Sequence, residues 1–271
     1  MISSPLRYPG GKGQLYEKVK EIMFEHNLFD RIYTEPFAGG FGIGIKLLTN
    51  GDVNRVIIND ADKYIYAFWH SVFFETDKLV KLIEKTPVNI DSWKKQKEIY
   101  NNKRIRSLVK LGFSAFFLNR TNYSGVLKGG PIGGLNQEGT YKIDCRLNKN
   151  DLISRIRILG ALKDRVEVYN MDAIDFTKRV ILPRMDVLFV NFDPPYVKKG
   201  PQLYKDYYNT EDHKNLAEYI ITALEEAKWI MTYDDCQLIA NLYQKYKPEQ
   251  YVLTHTAGKA KKGKELLIKN L

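Results

Sequence analysis

The residues best suited to chemistry lie in Asn191-Phe192-Asp193-Pro194-Pro195-Tyr196, directly after the apolar run Val187–Val190. Two successive prolines fix the backbone just beyond a strand end and cannot continue a ladder. That rigidity aims a carbonyl, a carboxylate and an aromatic ring at one point. A strand-end turn with no task needs only Asn-Gly or a single Pro, so Asp193, Pro194, Pro195 and Tyr196 are the candidate reacting groups. A second run, Glu35-Pro36-Phe37-Ala38-Gly39-Gly40-Phe41-Gly42-Ile43-Gly44, falls between a predicted strand and a predicted helix. Its glycines let a ligand approach the backbone closely, and in an open parallel sheet such a turn lies where ligands bind. The dinucleotide fingerprint fails there, because Ile45 and Leu47 stand where the third glycine is needed, which disfavours a dehydrogenase. Asp60, closing the next predicted strand, is placed either to accept hydrogen bonds from ribose hydroxyls or to cap the following helix. An adenosine-containing ligand without a pyrophosphate fits both runs. In Arg7-Tyr8-Pro9-Gly10-Gly11-Lys12, Leu6 and Gly13 occupy positions that a phosphate loop gives to Gly and to Ser or Thr. ATP hydrolysis is therefore unsupported, and the segment reads as a turn before a helix or as a lid with Lys12 over a carboxylate.

The elements that must carry these residues alternate, short β-branched or aromatic runs with longer amphipathic ones, as in an α/β domain with a largely parallel sheet. Strands are predicted over residues 31–34, 53–59, 165–169, 187–192, 229–233, 250–255 and 266–269. Helices are predicted over 14–25, 42–49, 151–162, 211–227 and 237–246, where apolar residues recur at three and four. The middle of the chain breaks the alternation. Residues 91–119 read as helical, and 122–148 are rich in Gly, Asn and Pro, a long stretch without periodicity that is either disordered or functional. Gly258–Lys264, with Lys259, Lys261, Lys262 and Lys264, reads as a basic hairpin between two late strands.

Charge singles out the same middle segment. The 271 residues hold 42 Lys and Arg against 32 Asp and Glu, but Ala61–Gly160 alone carries 18 basic and 9 acidic residues, leaving 24 and 23 elsewhere. Lys94, Lys95, Lys97, Lys103, Arg104, Arg106, Lys110 and Arg120 are interleaved with Trp93, Tyr100, Phe113, Phe116, Phe117 and Tyr123. Such a run is either a solvated face over an aromatic core or a surface for nucleic acid, where basic groups neutralise phosphates and aromatics stack on bases. Cys145 and Cys236 have no paired spacing, and His26, His70, His213 and His255 are scattered, so a zinc ribbon, an iron–sulfur site or a disulfide scaffold is excluded. No stretch approaches the ~18 uninterrupted apolar residues of a membrane span, and residues 1–11 lack a secretion signal. A cytoplasmic location is expected.

Taken in order, the Tyr-Pro-Gly-Gly-Lys opening, Glu35-Pro36-Phe37-Ala38-Gly39-Gly40 and Asp193-Pro194-Pro195-Tyr196 resemble the S-adenosylmethionine-dependent DNA adenine-N6 methyltransferases of the orphan and bacteriophage type, the D12 class. The resemblance continues through Asn119-Arg120-Thr121, Gly130-Pro131-Ile132-Gly133-Gly134, Asp212-His213 with Leu216, Tyr233-Asp234-Asp235 and Lys264-Glu265-Leu266-Leu267-Ile268. It implies a Rossmann-like fold with a mixed, mostly parallel seven-stranded sheet, in which residues 1–60 and 161–271 bind S-adenosylmethionine and the basic insert 61–160 is a mainly helical target-recognition domain. It also implies that Tyr8, Lys12, Glu35, Phe37, Gly39, Gly40, Asp60, Asp172 and Asp193 surround the cofactor, with no metal involved, and that Tyr196 stacks on the target base. DNA contacts are expected from Lys94, Lys95, Lys103, Arg104, Arg106, Arg120, Asn122 and Tyr123. The implied partner is duplex DNA, with a restriction endonuclease as companion and a monomer or weak dimer as the working form. Tyr8 departs from the Trp of many relatives. The rival readings are an RNA adenine methyltransferase and a silent DNA-binding regulator of the same fold.

Overall fold

The computed structural model describes residues 2–7, 15–197, 208–255 and 261–271. Its strands are β1 (Ile32–Glu35), β2 (Val56–Asn59), β3 (Val166–Tyr169), β4 (Leu188–Phe192), β5 (Lys228–Asp234), β6 (Glu249–His255) and β7 (Lys261–Asn270). They form one sheet in the order β3-β2-β1-β4-β5-β7-β6. The five strands from β3 to β5 are parallel, while β7 runs antiparallel to both β5 and β6. The expected Rossmann-like, mostly parallel seven-stranded sheet is thus present. Chain order reverses between β1 and β4, and in an open α/β sheet the crevice beyond the carboxyl ends at such a switch point is where ligands bind. Both chemistry-bearing turns, after β1 and after β4, open at that point.

Alternation along each strand divides the apolar residues between two interiors. Val56, Ile58, Phe189 and Ile230 face one, whereas Ile57, Leu188, Val190, Phe192, Trp229, Met231 and Tyr233 face the other. The second is covered by α8 (Ala173–Phe176) with the turns after it and by α9 (Thr210–Ala223), whose residues Ala173, Phe176, Leu216 and Ile220 are buried there. The first is covered by α1 (Tyr16–Glu25), α2 (Gly42–Asn50) and the helices of the middle segment.

Those middle helices are α3 (Lys63–Phe74), α4 (Thr76–Lys85), α5 (Ile90–Asn101), α6 (Leu108–Thr121) and α7 (Lys149–Gly160). The stretch 91–119, read as helical throughout, is two helices broken at 102–107, where Ser107 caps α6 by accepting from the Lys110 amide. Helix α3 escaped the sequence reading because Tyr64, Ile65, Ala67, Phe68, Trp69, Val72 and Phe73 are all buried, leaving little polar face to set a period. Phe68, Trp69, Phe116, Phe117 and Ile156 join the same apolar cluster as Val56, Phe189 and Ile230, so insert and sheet have one continuous interior.

The Gly-rich stretch 122–148 is a structured loop. Asn122 bridges to Pro131, and the Ile132 amide donates to the Thr121 carbonyl at 2.8 Å. Gln137, at φ +56°, ties its centre: Nε2 donates to the Ile132 and Gly134 carbonyls at 2.8 and 2.6 Å, while Oε1 accepts from the Ile143 amide at 2.8 Å. The late hairpin extends further than residues 266–269 suggested, because the lysine-rich start of β7 pairs with β6 down to Lys261 opposite His255; Lys259 lies outside the described residues. Among the described residues no helix is long and apolar enough to cross a membrane.

Candidate functional site

Asp193 follows β4 immediately, and its carboxylate Oδ1 accepts a hydrogen bond from Thr232 Oγ1 of β5 at 3.0 Å. Pro194 is buried and Pro195 half-buried behind it. The chain then turns so that the Val197 amide donates to Asp234 Oδ1 at 3.1 Å. Strand β5 therefore grips the turn twice, through the Thr232 side chain and through the carboxylate of its last residue, Asp234. Tyr196, expected to stack on the target base, is 8% exposed, and its hydroxyl donates to Glu265 Oε2 of β7 at 2.8 Å. Tyr251 of β6 donates to the same oxygen at 2.5 Å. Burial, then Asp193 and Glu265, push the Tyr196 hydroxyl well above its ordinary range. The ring itself meets that of Tyr233 with centroids 6.1 Å apart.

A second polar group lies on the same face of the sheet. Asn191 Nδ2 donates to the Tyr33 hydroxyl at 2.7 Å, and that hydroxyl donates to Glu35 Oε1 at 2.9 Å. The Gly44 amide, in the first turn of α2, reaches the same oxygen at 3.2 Å. Glu35 is 6% exposed, and burial raises its carboxyl to about 8, against the lowering hydrogen bonds from Tyr33 and Gly44; nearby Asp193 adds to the rise. Glu35, expected beside the cofactor, ties the end of β1 to the first turn of α2 through the Gly44 amide.

The turn itself depends on two unusual backbone positions. Gly39 adopts φ +45°, and Phe41, which precedes α2, adopts φ +48°, a costly conformation for a residue with a side chain. Its ring packs edge-on against Trp69 of α3 with centroids 5.6 Å apart, and Trp69 Nε1 donates to the Gly39 carbonyl at 2.9 Å. A Cβ at Gly44 would lie 1.9 Å from Phe41 Cε2, so Gly44 exists to admit that ring.

Beyond β2, Asp60 Oδ2 accepts from the Gly39 amide at 2.8 Å and Oδ1 from the Asp62 amide at 2.9 Å. The helix cap is Asp62, which accepts from the Tyr64 amide at 2.8 Å, so Asp60 is left to face the turn. Asn59, 1% exposed, donates to the Pro36 and Met171 carbonyls at 3.0 Å each and accepts from the Met171 amide at 2.9 Å. One amide thereby joins the loops after β1, β2 and β3. Asp172 is exposed and caps α8 through the Ile174 amide at 2.8 Å. Phe37 meets Tyr208 edge-on at 6.2 Å, and the Tyr208 hydroxyl is pushed up by burial and by Asp172, Asp212 and Asp60. Phe37, Gly39, Asp60, Asp172 and Tyr208 thus border one region, while Tyr8 and Lys12 lie outside the described residues. Buried His213 meets the Tyr233 hydroxyl through Nδ1 at 2.7 Å.

The sequence reading missed Asn59, Thr232 and Tyr208, and gave Phe41 and Gly44 no role beyond their place in the glycine run. A lone polar residue inside an apolar strand was the available signal for Asn59 and Thr232. Among the described residues no group of His, Cys, Asp or Glu is arranged to hold a metal ion.

The expected DNA contacts separate into two sets. Lys94, Lys95, Lys103, Arg104 and Arg106 are exposed on α5 and the α5–α6 loop, and Tyr123 is 71% exposed at the start of the glycine loop. Asn122 is corrected: it is fully buried, accepting from Trp93 Nε1 at 2.7 Å and donating to the Val126 and Leu127 carbonyls at 2.8 and 3.1 Å. Arg120 is half-buried and donates through Nε to the Pro5 carbonyl at 2.7 Å, so it serves the N-terminal segment as well as any ligand. Both were read as surface residues because they lie in the basic run, but α6 ends inward against residues 4–7. Lys97 likewise turns back onto the Leu127 and Gly129 carbonyls at 3.0 and 3.1 Å.

A family model for D12 class N6 adenine-specific DNA methyltransferases matches residues 8–256. The type II methyltransferase M.MjaIII of Methanocaldococcus jannaschii is 26% identical over 233 residues, spanning 79% of this chain and 78% of its own length. The modification methylase StsI of Streptococcus sanguinis is 23% identical over 299 aligned residues, which span 99% of this chain and 43% of the methylase.

Proposed function

Because the chain belongs to the D12 class of N6 adenine-specific DNA methyltransferases, we propose that Asp193 and the Pro194 carbonyl each accept one N6 hydrogen of an adenine turned out of the duplex. The reaction is S-adenosylmethionine-dependent methylation of adenine N6 in DNA. An exocyclic amine is a poor nucleophile while its lone pair is delocalised into the purine. Two acceptors at a proline-locked turn push the nitrogen toward tetrahedral geometry and localise that lone pair. Asp193 acts as orienter and acceptor, and the proton leaves once methylation has made the nitrogen acidic. Because N6 is hidden in a duplex, the base is flipped out at a cost of ~ a few kcal/mol, offset by stacking and phosphate contacts.

The residues bordering the switch-point crevice suit the cofactor. Each Asp60 oxygen accepts one backbone N–H and keeps acceptor capacity for ribose hydroxyls. Gly39 and Gly40 leave the backbone open to close approach, Phe37 supplies an apolar face, Asp172 stands at the adenine end, and Tyr8 and Lys12 would close over the methionine end. Glu35 supports this lining through the Gly44 amide. When bound, the cofactor would supply an electrophilic methyl on a sulfonium for direct in-line transfer to the oriented amine, the S–CH3 bond breaking as N–CH3 forms and S-adenosylhomocysteine leaving as the neutral thioether. Lys94, Lys95, Lys103, Arg104, Arg106 and Tyr123 would form the duplex-facing surface of the segment 61–160. The relatives' names, a type II methyltransferase and a modification methylase, support a restriction endonuclease as companion.

The observation that carries this reading is the Thr232–Asp193 hydrogen bond, which holds the carboxylate at the sheet's switch point. Asp193→Ala should abolish transfer of labelled methyl groups to DNA while cofactor binding largely survives. An active variant would reject the assigned role.

A further inference from the structure

Four arginines gather where the N-terminal segment crosses the end of α6. Arg120 donates to the Pro5 carbonyl at 2.7 Å and to the Ser4 and Arg146 carbonyls at 3.5 Å each. Arg7 donates through one terminal nitrogen to the Asn122 carbonyl at 3.2 Å, and its backbone is clasped by Asn119, which accepts from the Arg7 amide and donates to the Arg7 carbonyl, both at 2.7 Å. Arg155 reaches Ser3 from α7. The partners of Arg7 and Arg120 are therefore neutral carbonyls. Among the described residues the carboxylate paired with this group is Asp151, and Arg155 takes both of its oxygens, at 3.0 and 2.8 Å.

Concentrating four positive charges against one carboxylate is unfavourable, and the effect is visible in the guanidinium groups. Burial, then Arg155 and Arg7, lowers Arg120 to about 10. Burial and then Arg146 lower Arg7. A guanidinium has five N–H donors in a rigid fork suited to phosphate, and among the described residues the Arg7 side chain spends one of them, on the Asn122 carbonyl. The cluster adjoins exposed Tyr123 and the glycine loop, and Arg146 lies on the exposed side. A monoanion with several acceptor oxygens would relieve the repulsion and satisfy the forks together.

We propose that Arg7, Arg146 and Arg155, seated on Arg120, form a docking site for one backbone phosphate of duplex DNA, and that its occupation fastens residues 3–7 against α6. This rests on DNA being the bound polymer. It differs from the Lys103–Arg106 surface in that those side chains are exposed, whereas here a phosphate would supply countercharge to arginines of which Arg7 and Arg120 are already held by backbone carbonyls.

The test compares wild type with Arg146→Ala and Arg146→Lys, an exposed position outside the catalytic machinery. Affinity for a random-sequence DNA duplex is measured against salt concentration. Arg146→Ala should weaken binding about tenfold and lower the salt slope by about one phosphate's worth, ~0.9, while Arg146→Lys keeps most of the slope. In wild type, duplex DNA should slow hydrogen exchange at the Arg7 amide, and Arg146→Ala should lose that protection. An unchanged slope with unchanged Arg7 exchange overturns the proposal, as does a loss seen on duplex RNA but not on DNA. Methyl transfer by the wild-type chain to adenine in genomic DNA is followed in parallel; if it fails while the slope effect stands, the functional reading falls and the phosphate site remains.

Discussion

Thr232→Val isolates the contribution of orientation at Asp193. Valine matches threonine in shape, Thr232 is 3% exposed within β5, and the change removes one donor from the Asp193 carboxylate without opening a cavity. A hydrogen bond to a charged group contributes about 1.5–3 kcal/mol. If all of it serves to hold Asp193 in register for the amine, the rate of methyl transfer falls by about tenfold to a hundredfold, at 1.36 kcal/mol per decade. The effect should lie in kcat, because Thr232 is on the opposite side of Asp193 from the residues assigned to the cofactor. Single-turnover transfer of labelled methyl groups to duplex DNA measures the rate, and equilibrium binding of S-adenosylmethionine serves as the control. Thr232→Ser, which keeps the hydroxyl, should recover most of the activity. A valine variant within about twofold of wild type, or a serine variant as impaired as the valine one, refutes the argument that this bond positions the acceptor.

Glu35 makes stability depend on pH. Its folded carboxyl titrates at about 8, above the ordinary range of the unfolded chain, so the stability it contributes is complete below the unfolded value and is lost as pH rises toward 8. The loss runs at about 1.4 kcal/mol per pH unit. Glu35→Gln should therefore flatten the stability profile between pH 5 and 8 in denaturant titrations, and an unaltered slope would count against a buried neutral carboxyl. Gly44→Ala drives a methyl to 1.9 Å from the Phe41 ring; it should cost about 1–3 kcal/mol in thermal melting and weaken cofactor binding by disturbing Gly39. Replacing Lys103, Arg104 and Arg106 together by alanine should weaken binding to every DNA sequence and reduce the salt slope by up to about 0.9 per phosphate contacted. Unchanged affinity would make those residues surface only.

The strands at the switch point were legible because their apolar runs are short, β-branched and bounded by Gly or Pro, and their ends carry Glu35, Asp60 and Asp193. Boundaries moved where charge masked pairing, as in the lysine-rich start of β7. Helix α3 was invisible for the opposite reason, since a segment buried on nearly every side presents no contrast between faces. In the site, rigid covalent signals read well: two prolines after a strand, and glycines before a helix. What could not be read were long-range bonds, such as Asn59 reaching Met171 across 112 residues or Thr232 meeting Asp193 across 39. Asn122 and Arg120 were misplaced because composition reports that a segment is basic and leaves open which way each side chain turns.

The unbroken interior shared by the middle helices and the sheet bears on how such an enzyme can acquire a new target sequence. Trp69 both fills that interior and holds the Gly39 carbonyl, so grafting the whole segment from a relative would also disturb the glycine turn proposed to hold the cofactor. On the proposed assignment of the DNA surface, exposed positions such as Tyr123 can change while that foundation stays as it is.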